Sequence, residues 1–283
     1  MASSHRWLPD APSPVHALFR RFPLSVYDPS PLPGGPRADR PQLFIFTCRT
    51  GSDRPSFNPR CLKWQLWLRI CGIDVETHAS NPHASPNRSL PFLIPALNDS
   101  DPHSTITFSR IAAYARHHSS YQEPSVPSLR LDTYLSLFDQ AIRPAWLHTL
   151  YLVPENECLI NVLFIPQSSL LRPSLLRNLR LEAHQSIISI HRHSRYSPDI
   201  LLHNASKAFQ ALDKLLGSQD YFFDAPSPTI FDATVFSYTH LILPNSSLHW
   251  IQNPLRPSLD DCHNLQRHRR LLYARYFPVK LDS

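Results

Sequence analysis

Residues 228–243, PTIFDATVFSYTHLIL, decide the fold of this chain. Thr229 and Asp232 have the spacing of a capping box, in which the Thr hydroxyl accepts from the backbone N–H of the Asp and the Asp carboxylate accepts from the backbone N–H of the Thr. The apolar run from Ala233 to Leu243 follows directly. Capping boxes open many ordinary helices, but a largely apolar run behind one predicts a helix buried inside a domain.

The first half of the chain predicts a small sheet with two helices. Short apolar or β-branched runs bounded by turn residues indicate strands, and apolar residues at helical spacing indicate helices. Gly72 stands where the first helix needs a permissive residue at its C-terminus. The predicted elements are strands at 43–48, 75–78 and 90–97 and helices at 61–71 and 107–116. The order β-α-β-β-α is thioredoxin-like.

The second half carries helical spacing only. Ser197, Pro198 and Asp199 predict an N-cap, a first-turn proline and a first-turn acid, and Gly217 predicts the end of that helix. The predicted helices cover 129–152, 173–190, 198–216, 230–243 and 259–276. The fold class is therefore α/β plus all-α.

Three regions follow from these patterns. Residues 1–41 are rich in Pro and Ser and predict an irregular arm. Residues 42–120 predict the thioredoxin-like domain, and residues 125–283 predict the all-helical domain.

Composition narrows the possible functions. The 283 residues include 29 Pro and only 5 Gly, which disfavours folds built on Gly-rich phosphate loops. The net charge of +6 permits nucleic acid or an anionic membrane as a partner, but the basic residues are scattered and form no known nucleic-acid motif, so we predict no nucleic-acid binding. No apolar run is long enough to span a membrane, and the polar, Pro-rich first twenty residues predict no cleaved leader.

Neither cysteines nor histidines predict a metal site. The 5 Cys include no CxxC pair, which favours reduced thiols in a cytosol-like compartment. Among the 16 His, His117 and His118 are adjacent and point apart on a helix, and His191 and His193 lack the spacing of helical zinc ligands. We therefore predict no metal.

An α/β half that contains Leu90-Pro91-Phe92, followed by a capping box on a late buried helix, resembles the glutathione-transferase fold. The resemblance implies that Pro91 is the cis-proline of that fold, and that Thr229 and Asp232 are its folding signature.

The same resemblance implies that the glutathione chemistry is lost. Asn58 stands where related enzymes have the catalytic thiol of a C-P-x-C motif, and Asn is not a nucleophile there. Cys61 is the second thiol, either activated by the helix N-terminus or packed as a structural residue. Phe108 replaces the polar residue that flanks the γ-glutamyl group, and Ser109 beside it is left to cap a helix. We predict no catalytic residue, no cofactor and no enzymatic activity.

A narrower resemblance is carried by residues 56–65, 81–86 and 90–95, which are similar to the metaxin family. It implies a peripheral, non-enzymatic protein on the cytosolic face of the mitochondrial outer membrane. It also implies as partners a β-barrel insertase and a second metaxin-like subunit of the sorting and assembly machinery. The implied role is to receive β-barrel precursors and to recognise their C-terminal β-signal.

Two surfaces are candidates for binding. A β-signal is an amphipathic strand, which requires an open sheet edge or an apolar groove. We predict that Asn58, Pro91 and Phe108 line the vacated ligand cleft and dock the precursor; the alternative is that Phe108 only fills space between the domains. The second candidate surface is a group of four arginines, Arg267, Arg269, Arg270 and Arg275.

These arginines allow two interpretations. They could approach anionic lipid or an acidic partner. Alternatively, Ser258 caps the helix, Asp260 and Asp261 occupy its first turn, and the arginines complement its C-terminal dipole.

Two other functions remain possible on the sequence alone. One is a glutathione-dependent transferase or reductase that uses Cys61. The other is a glutathione-transferase-like assembly module of the translation apparatus.

Overall fold

The structure is a computed structural model of the 283-residue chain, and the residues it describes are 39–47, 54–97, 99, 104–165, 171–191, 196–244, 246 and 248–278. The predicted Pro-rich arm, residues 1–41, lies outside this range apart from its last three residues. The domain boundaries given above therefore stay predictions.

A four-stranded sheet forms the first half, with strand order β2-β1-β3-β4. Its strands are β1 (Gln42–Ile45), β2 (Glu76–Ala79), β3 (Phe92–Ile94) and β4 (Ile106–Thr107). β1 runs parallel to β2 and antiparallel to β3, with Leu43 opposite both Thr77 and Leu93. Leu43 and Leu93 are fully buried, so this register places the centre of the sheet in the core.

Two helices belong to this half, α1 (Pro59–Ile70) and α2 (Ile111–His118). α1 is buried on nearly every face, and it packs on the late helix of the second half, residues 230–242. It ends at Gly72, whose φ of +72° is a left-handed conformation that glycine adopts without a Cβ penalty. The N–H of Ile73 then donates to the carbonyl of Leu68 at 2.9 Å, which closes the last turn.

The second half contains only helices in the part of the chain that is described. These are α3 (Ser128–Leu137), α4 (Arg143–Leu147), α5 (Glu157–Phe164), α6 (Arg172–His191), α7 (Pro198–Leu216), α8 (Ile230–Ile242), α9 (Pro257–Asp260) and α10 (His263–Tyr276). The thioredoxin-like sheet and the helical second half confirm the predicted fold class.

The predicted helix 129–152 is continuous but not uniformly α-helical. π-helical turns at Phe138–Ile142 and His148–Leu152 flank α4. Pro144 has no N–H to donate, and its ring crowds the carbonyl one turn earlier. The N–H of Arg143 bonds to the carbonyl of Phe138, five residues back, so the wider turn ends immediately before the proline.

The structure corrects the predicted helix 107–116. Ile106 and Thr107 instead form strand β4 against β3, residues Phe108–Arg110 form a 3₁₀ turn, and α2 begins at Ile111. A two-residue strand is too short to show period-2 spacing, which explains why the pattern merged it with the helix.

Two predicted caps are also corrected. Ser197 occupies the N-cap position of α7, but its side chain makes no capping hydrogen bond. The predicted helix 259–276 is broken into α9 and α10 at Cys262. Ser258 therefore lies inside α9, and Asp260 and Asp261 precede α10 instead of occupying its first turn.

Candidate functional site

The start of α1 is the position where the glutathione-transferase resemblance implies a catalytic thiol. Asn58 caps this helix: its side-chain oxygen accepts from the backbone N–H groups of Arg60 at 3.1 Å and Cys61 at 3.2 Å. Pro59 takes the first helical position, where its missing N–H costs no hydrogen bond. Asn58 therefore accepts hydrogen bonds from two of the free N–H groups at the helix N-terminus. In an enzyme, such N–H groups would stabilise a catalytic thiolate.

The segment before α1 is held by buried polar side chains. The fully buried Gln65 accepts from the N–H of Ser56 at 2.9 Å and donates to the carbonyl of Arg54 at 2.9 Å. The hydroxyl of Ser56 donates to the carbonyl of Phe46 at 2.6 Å and accepts from the N–H of Asn58 at 3.2 Å. The chain entering α1 is thus fixed by side chains of the helix and of the segment itself.

Cys61 is packed inside this arrangement, with no exposed surface. Burial raises the pKa of its thiol to about 12, although a hydrogen bond with the Phe46 backbone and the charge of Arg60 act in the opposite direction. A thiol with this pKa stays protonated at neutral pH, and the thiolate is the nucleophilic form. The geometry favours the structural reading of Cys61.

The other two predicted cleft residues flank strands of the sheet: Pro91 directly precedes β3 and Phe108 directly follows β4. Pro91 is buried and follows a cis peptide bond after Leu90, as predicted. Phe108 is half-buried and packs against the core. Arg60 contacts both of these segments: its guanidinium lies 4.8 Å from the ring centre of Phe108 and donates to the hydroxyl of Ser89, two residues before Pro91, at 2.9 Å.

Arg60 therefore contacts Asn58 through its backbone N–H and Phe108 through its guanidinium, and its third partner, Ser89, precedes Pro91 by two residues. A guanidinium over an aromatic face is a favourable cation–π arrangement. Arg60 is exposed, so this link lies at the surface and presents positive charge beside an aromatic ring. This positive charge beside Phe108 was not predicted from the sequence.

Lys63, one turn further along α1, adds to this basic character. It is half-buried, and its ammonium lies 5.3 Å from the ring centre of Trp64. Burial lowers the pKa of Lys63 to about 8, and the carboxylate of Asp139 in the helical half opposes that change. The start of α1 therefore carries two basic side chains, those of Arg60 and Lys63.

The predicted folding signature, Thr229 and Asp232, is observed as a complete capping box at the start of α8. The Asp232 carboxylate is fully buried and accepts from the Thr229 N–H at 2.8 Å and the Thr229 hydroxyl at 2.7 Å. Its second oxygen accepts from the Phe222 N–H at 3.0 Å and lies 2.9 Å from Nε2 of the fully buried His268. Four groups thus converge on a single carboxylate.

The four C-terminal arginines make contacts that neither interpretation included, although Arg275 lies in the last turn of α10, where it complements the helix dipole. Arg267 donates to the carbonyls of Gly217 at 2.9 Å and Gln219 at 2.7 Å. Arg269 donates to the carbonyl of Pro244 at 2.9 Å, Arg275 donates to the hydroxyl of Tyr221 at 2.8 Å, and Arg270 bonds within α10. Three of these side chains, those of Arg267, Arg269 and Arg275, fasten α10 to the segments around it.

Two surface pockets occur in the helical half. One, of about 380 Å³, lies between α5 and α6, and the other, of about 620 Å³, lies between α3, α6 and α7. Neither is lined by Asn58, Pro91 or Phe108. The three predicted docking residues therefore lie outside both pockets.

Among the described residues, no group of three or more His, Cys, Asp and Glu side chains is placed to hold a metal ion, and no helix is long and apolar enough to cross a membrane. Cys61, Cys71, Cys158 and Cys262 are free thiols, and Cys48 lies outside the described residues.

Each half of the chain matches a glutathione S-transferase domain. Residues 59–156 match the glutathione S-transferase N-terminal domain, and residues 205–272 match the glutathione S-transferase C-terminal domain. A glutathione S-transferase of Ceriporiopsis subvermispora in complex with glutathione has a TM-score of 0.55 at 15% identity, covering 83% of this chain and 98% of that one. A family member from Pseudomonas fluorescens with two glutathione bound scores 0.50 at 15% identity, covering 92% and 94%. Both halves of the chain therefore have the glutathione-transferase-like fold.

Within that class the predicted resemblance to the metaxin family is confirmed. The chain is 25% identical to human metaxin-1 over 244 residues, which cover 83% of this chain and 51% of the human protein. It is also 25% identical to metaxin-3 of Xenopus laevis over 242 residues, which cover 80% of this chain and 75% of that protein. The chain thus spans about half the length of human metaxin-1.

Sequence reasoning missed Arg60, Gln65 and His268. Gln65 could have been found, because a lone amide within the apolar run from Trp64 to Leu68 must be hydrogen-bonded if the helix is buried. Nothing in the local sequence marks Arg60 or His268, since their partners lie 29 and 36 residues away.

Proposed function

We propose that the chain is a non-enzymatic, peripheral subunit of the mitochondrial outer-membrane sorting and assembly machinery, and that it corresponds to the fungal 35-kDa metaxin-like subunit. In this role it binds β-barrel precursors through their C-terminal β-signal, together with the barrel insertase and a second metaxin-like subunit. It lies on the cytosolic face of the membrane. The similarity to metaxins over most of the chain supports a role in protein import into that membrane.

The observation that carries the non-enzymatic assignment is the cap at the start of α1. Asn58 occupies the activating position and engages the N–H groups of Arg60 and Cys61, and the Cys61 thiol behind it is buried and protonated. Glutathione-dependent thiol transfer needs an accessible thiolate or an activated glutathione thiol at this point. The glutathione-transferase scaffold thus supports binding in the absence of thiol chemistry.

We propose the cleft around Asn58, Pro91 and Phe108 as the precursor docking surface. A β-signal alternates apolar and polar side chains, so its receptor needs an apolar contact beside polar selectors. Phe108 offers a half-buried aromatic ring, and Arg60 holds a guanidinium 4.8 Å from the centre of that ring. Together they could bind the apolar face of a strand and a polar or acidic group next to it.

Site-specific crosslinking of a β-signal peptide to the full chain tests this proposal. We expect Phe108→Glu to reduce crosslinking roughly ten-fold, because it places a charge where the apolar face would dock. Phe108→Leu, which keeps an apolar side chain of smaller size, is the matched control and should retain most of the crosslinking. Unchanged crosslinking by a folded Phe108→Glu chain would refute the docking surface.

The two rival functions predict different results in simple assays. A glutathione-dependent enzyme would be retained on glutathione-agarose and would lose turnover in a Cys61→Ala variant. A translation module would co-purify with ribosomes or synthetases. A subunit of the sorting and assembly machinery should instead co-migrate with the barrel insertase in blue-native electrophoresis of mitochondria that contain the tagged chain.

A further inference from the structure

Basic side chains gather where the start of α1 meets the helical half. Arg60 and Lys63 lie three residues apart on α1, and this spacing makes two side chains neighbours on a helix surface. Arg143 begins α4, and its guanidinium lies 4.0 Å from the exposed carboxylate of Asp139, which makes a weak ion pair. Three basic side chains thus stand against one solvated carboxylate.

Tyr238 on α8 shows that these charges share one location. Tyr238 is half-buried, and burial raises the pKa of its hydroxyl to about 12; the charges of Arg143 and Arg60 oppose this rise, and that of Asp139 adds to it. Asp139 and Arg60 act on Lys63 as well. Charge interactions fade beyond about 10 Å at physiological salt. The side chains of Arg60, Lys63, Arg143 and Tyr238 therefore form one group, which we call the cation cluster.

The two cations from α1 lack an anionic partner. Arg60 donates to the neutral hydroxyl of Ser89, and within the described part of the chain neither Arg60 nor Lys63 has a carboxylate at ion-pair distance. A second carboxylate that acts on Lys63 is that of Glu123, but it already accepts from the N–H of Ile230 at 2.9 Å. The cluster therefore has room for an anion from outside the chain.

Lys63 is the member of the cluster that would respond most to such an anion. Burial lowers its pKa to about 8, the charge of Arg60 acts in the same direction, and the charges of Asp139 and Glu123 act in the opposite one. Its ammonium is thus partly withdrawn from water without a counter-charge beside it. A bound anion would favour the ammonium form and raise the pKa.

We propose that the cation cluster binds a carboxylate side chain on the polar face of the precursor β-signal, while Phe108 contacts the apolar face. This specificity rests on the proposed function and names the chemistry that the cleft selects. Alternate side chains of a strand point to opposite faces. Arg60 belongs to the cluster and lies 4.8 Å from the ring centre of Phe108, so both contacts fall within reach of one extended segment.

Charge and depth together favour a carboxylate on a strand. A charge-assisted hydrogen bond to a carboxylate is stronger than one to a neutral amide, so unpaired cations favour the acid. Lys63, Arg143 and Tyr238 are half-buried, which suits a single side chain from a slender segment better than a flat membrane surface.

Calorimetric titration of the full chain with two peptides tests the proposal. Both are β-signal peptides with one polar-face position that is Asp in the first and Asn in the second. We expect the Asp peptide to bind about ten-fold more tightly, and Lys63→Met to reduce this preference to about two-fold. Lys207→Met, which removes an exposed ammonium from α7, is the matched control and should keep the full preference.

The protonation of Lys63 supplies an independent measurement. At pH 8 about half of the Lys63 amines are neutral, so binding of the Asp peptide should take up as much as about half a proton, and almost none at pH 6. Comparison of binding enthalpies in buffers of different ionisation enthalpy measures this uptake. Affinity should also fall as the pH rises above about 8. Lys63→Arg should keep the preference for Asp but abolish the uptake, because a guanidinium stays protonated.

The outcomes separate this specificity from the precursor role. Equal binding of the Asp and Asn peptides, with both weakened by Phe108→Glu, would overturn the carboxylate site and leave the precursor role in place. Equally tight binding of a scrambled peptide that keeps the Asp would overturn the assignment to a strand. Proton uptake that persists in Lys63→Arg would contradict the part assigned to Lys63. Failure of the folded chain to bind either peptide would overturn both the site and the precursor role.

Discussion

Two helix starts in this molecule are built from similar parts but differ in burial. At the start of α1, the half-buried Asn58 satisfies two N–H groups beside the exposed Arg60. At the start of α8, Thr229 and Asp232 are enclosed, and the Asp232 carboxylate meets four groups, one of them on the buried His268. The first start is where related enzymes carry their chemistry, and the second only holds the fold.

The comparison shows which of the two helix starts can exchange residues while the architecture is kept. A residue in a surface N-cap can be exchanged at little cost in stability, because only two hydrogen bonds are involved and water can replace them. The buried start tolerates no such exchange, since every donor around Asp232 would lose its acceptor in a place that water cannot reach. The three stability predictions below measure this contrast, from the largest expected effect to the smallest.

Asp232→Ala should destabilise the fold by about 3–5 kcal/mol, because it leaves His268 and the N–H groups of Phe222 and Thr229 buried without an acceptor. Urea unfolding followed by circular dichroism would measure the change. Asp139→Ala is the matched control. This carboxylate is exposed, and its distance of 4.0 Å from Arg143 makes a weak ion pair, so its loss should change stability by less than about 0.5 kcal/mol. Equal effects of the two variants would contradict the contrast.

His240→Phe should make the protein less sensitive to acid. His240 is buried in α8 between the rings of Phe236 and Tyr273, at 5.1 and 5.2 Å, and neither ring nitrogen has a hydrogen-bond partner in the described structure. Burial, with the nearby charge of Arg269, lowers the pKa of His240 to about 3. The folded state therefore binds fewer protons than the unfolded state below pH 6.5, and stability falls as the pH falls.

The size of this effect follows from the unfolded-state pKa of about 6.5. Between pH 7.5 and pH 5, the unaltered chain should lose about 2 kcal/mol more stability than His240→Phe, in which a phenyl ring replaces the imidazole. Parallel urea unfolding at the two pH values measures the difference. Identical pH dependence in both chains would mean that His240 is not held neutral by its surroundings.

Asn58→Ala should cost about 1 kcal/mol, the usual effect of removing an N-cap side chain. Asn58→Asp keeps the acceptor oxygen and adds a negative charge at the helix N-terminus, so it should match the unaltered chain or exceed it slightly. Urea unfolding again gives the values. A loss for Asn58→Ala as large as that for Asp232→Ala would show that the two helix starts carry equal weight.

The sequence predicted the fold well where local chemistry is decisive. The capping box at Thr229, the helix from Pro198 to Leu216 and its end at Gly217 depend on neighbouring residues, and all three were observed as predicted. Strand β4 and helix α5 were missed. β4 has only two residues and α5 only eight, so neither is long enough to show a clear periodicity.

The site was predictable only in part, for the same physical reason. The absence of a nucleophile at Asn58 could be read directly, but its engagement as an N-cap required the position at which α1 begins, two residues before the predicted start. The contact of Arg60 with Phe108 and that of His268 with Asp232 join residues from distant parts of the chain. Such pairs depend on tertiary packing, which periodicity does not encode.

The most direct test of the account is the alkylation rate of Cys61 in the native, full-length chain at pH 7, followed by peptide mass spectrometry. The exposed Cys158 serves as the internal reference within the same sample. The account predicts rapid modification of Cys158 and no modification of Cys61 until the chain is unfolded, because the Cys61 thiol is enclosed and its pKa is raised to about 12. Modification of Cys61 in the folded chain as fast as that of Cys158 would show an accessible thiolate at the start of α1 and would contradict the loss of thiol chemistry.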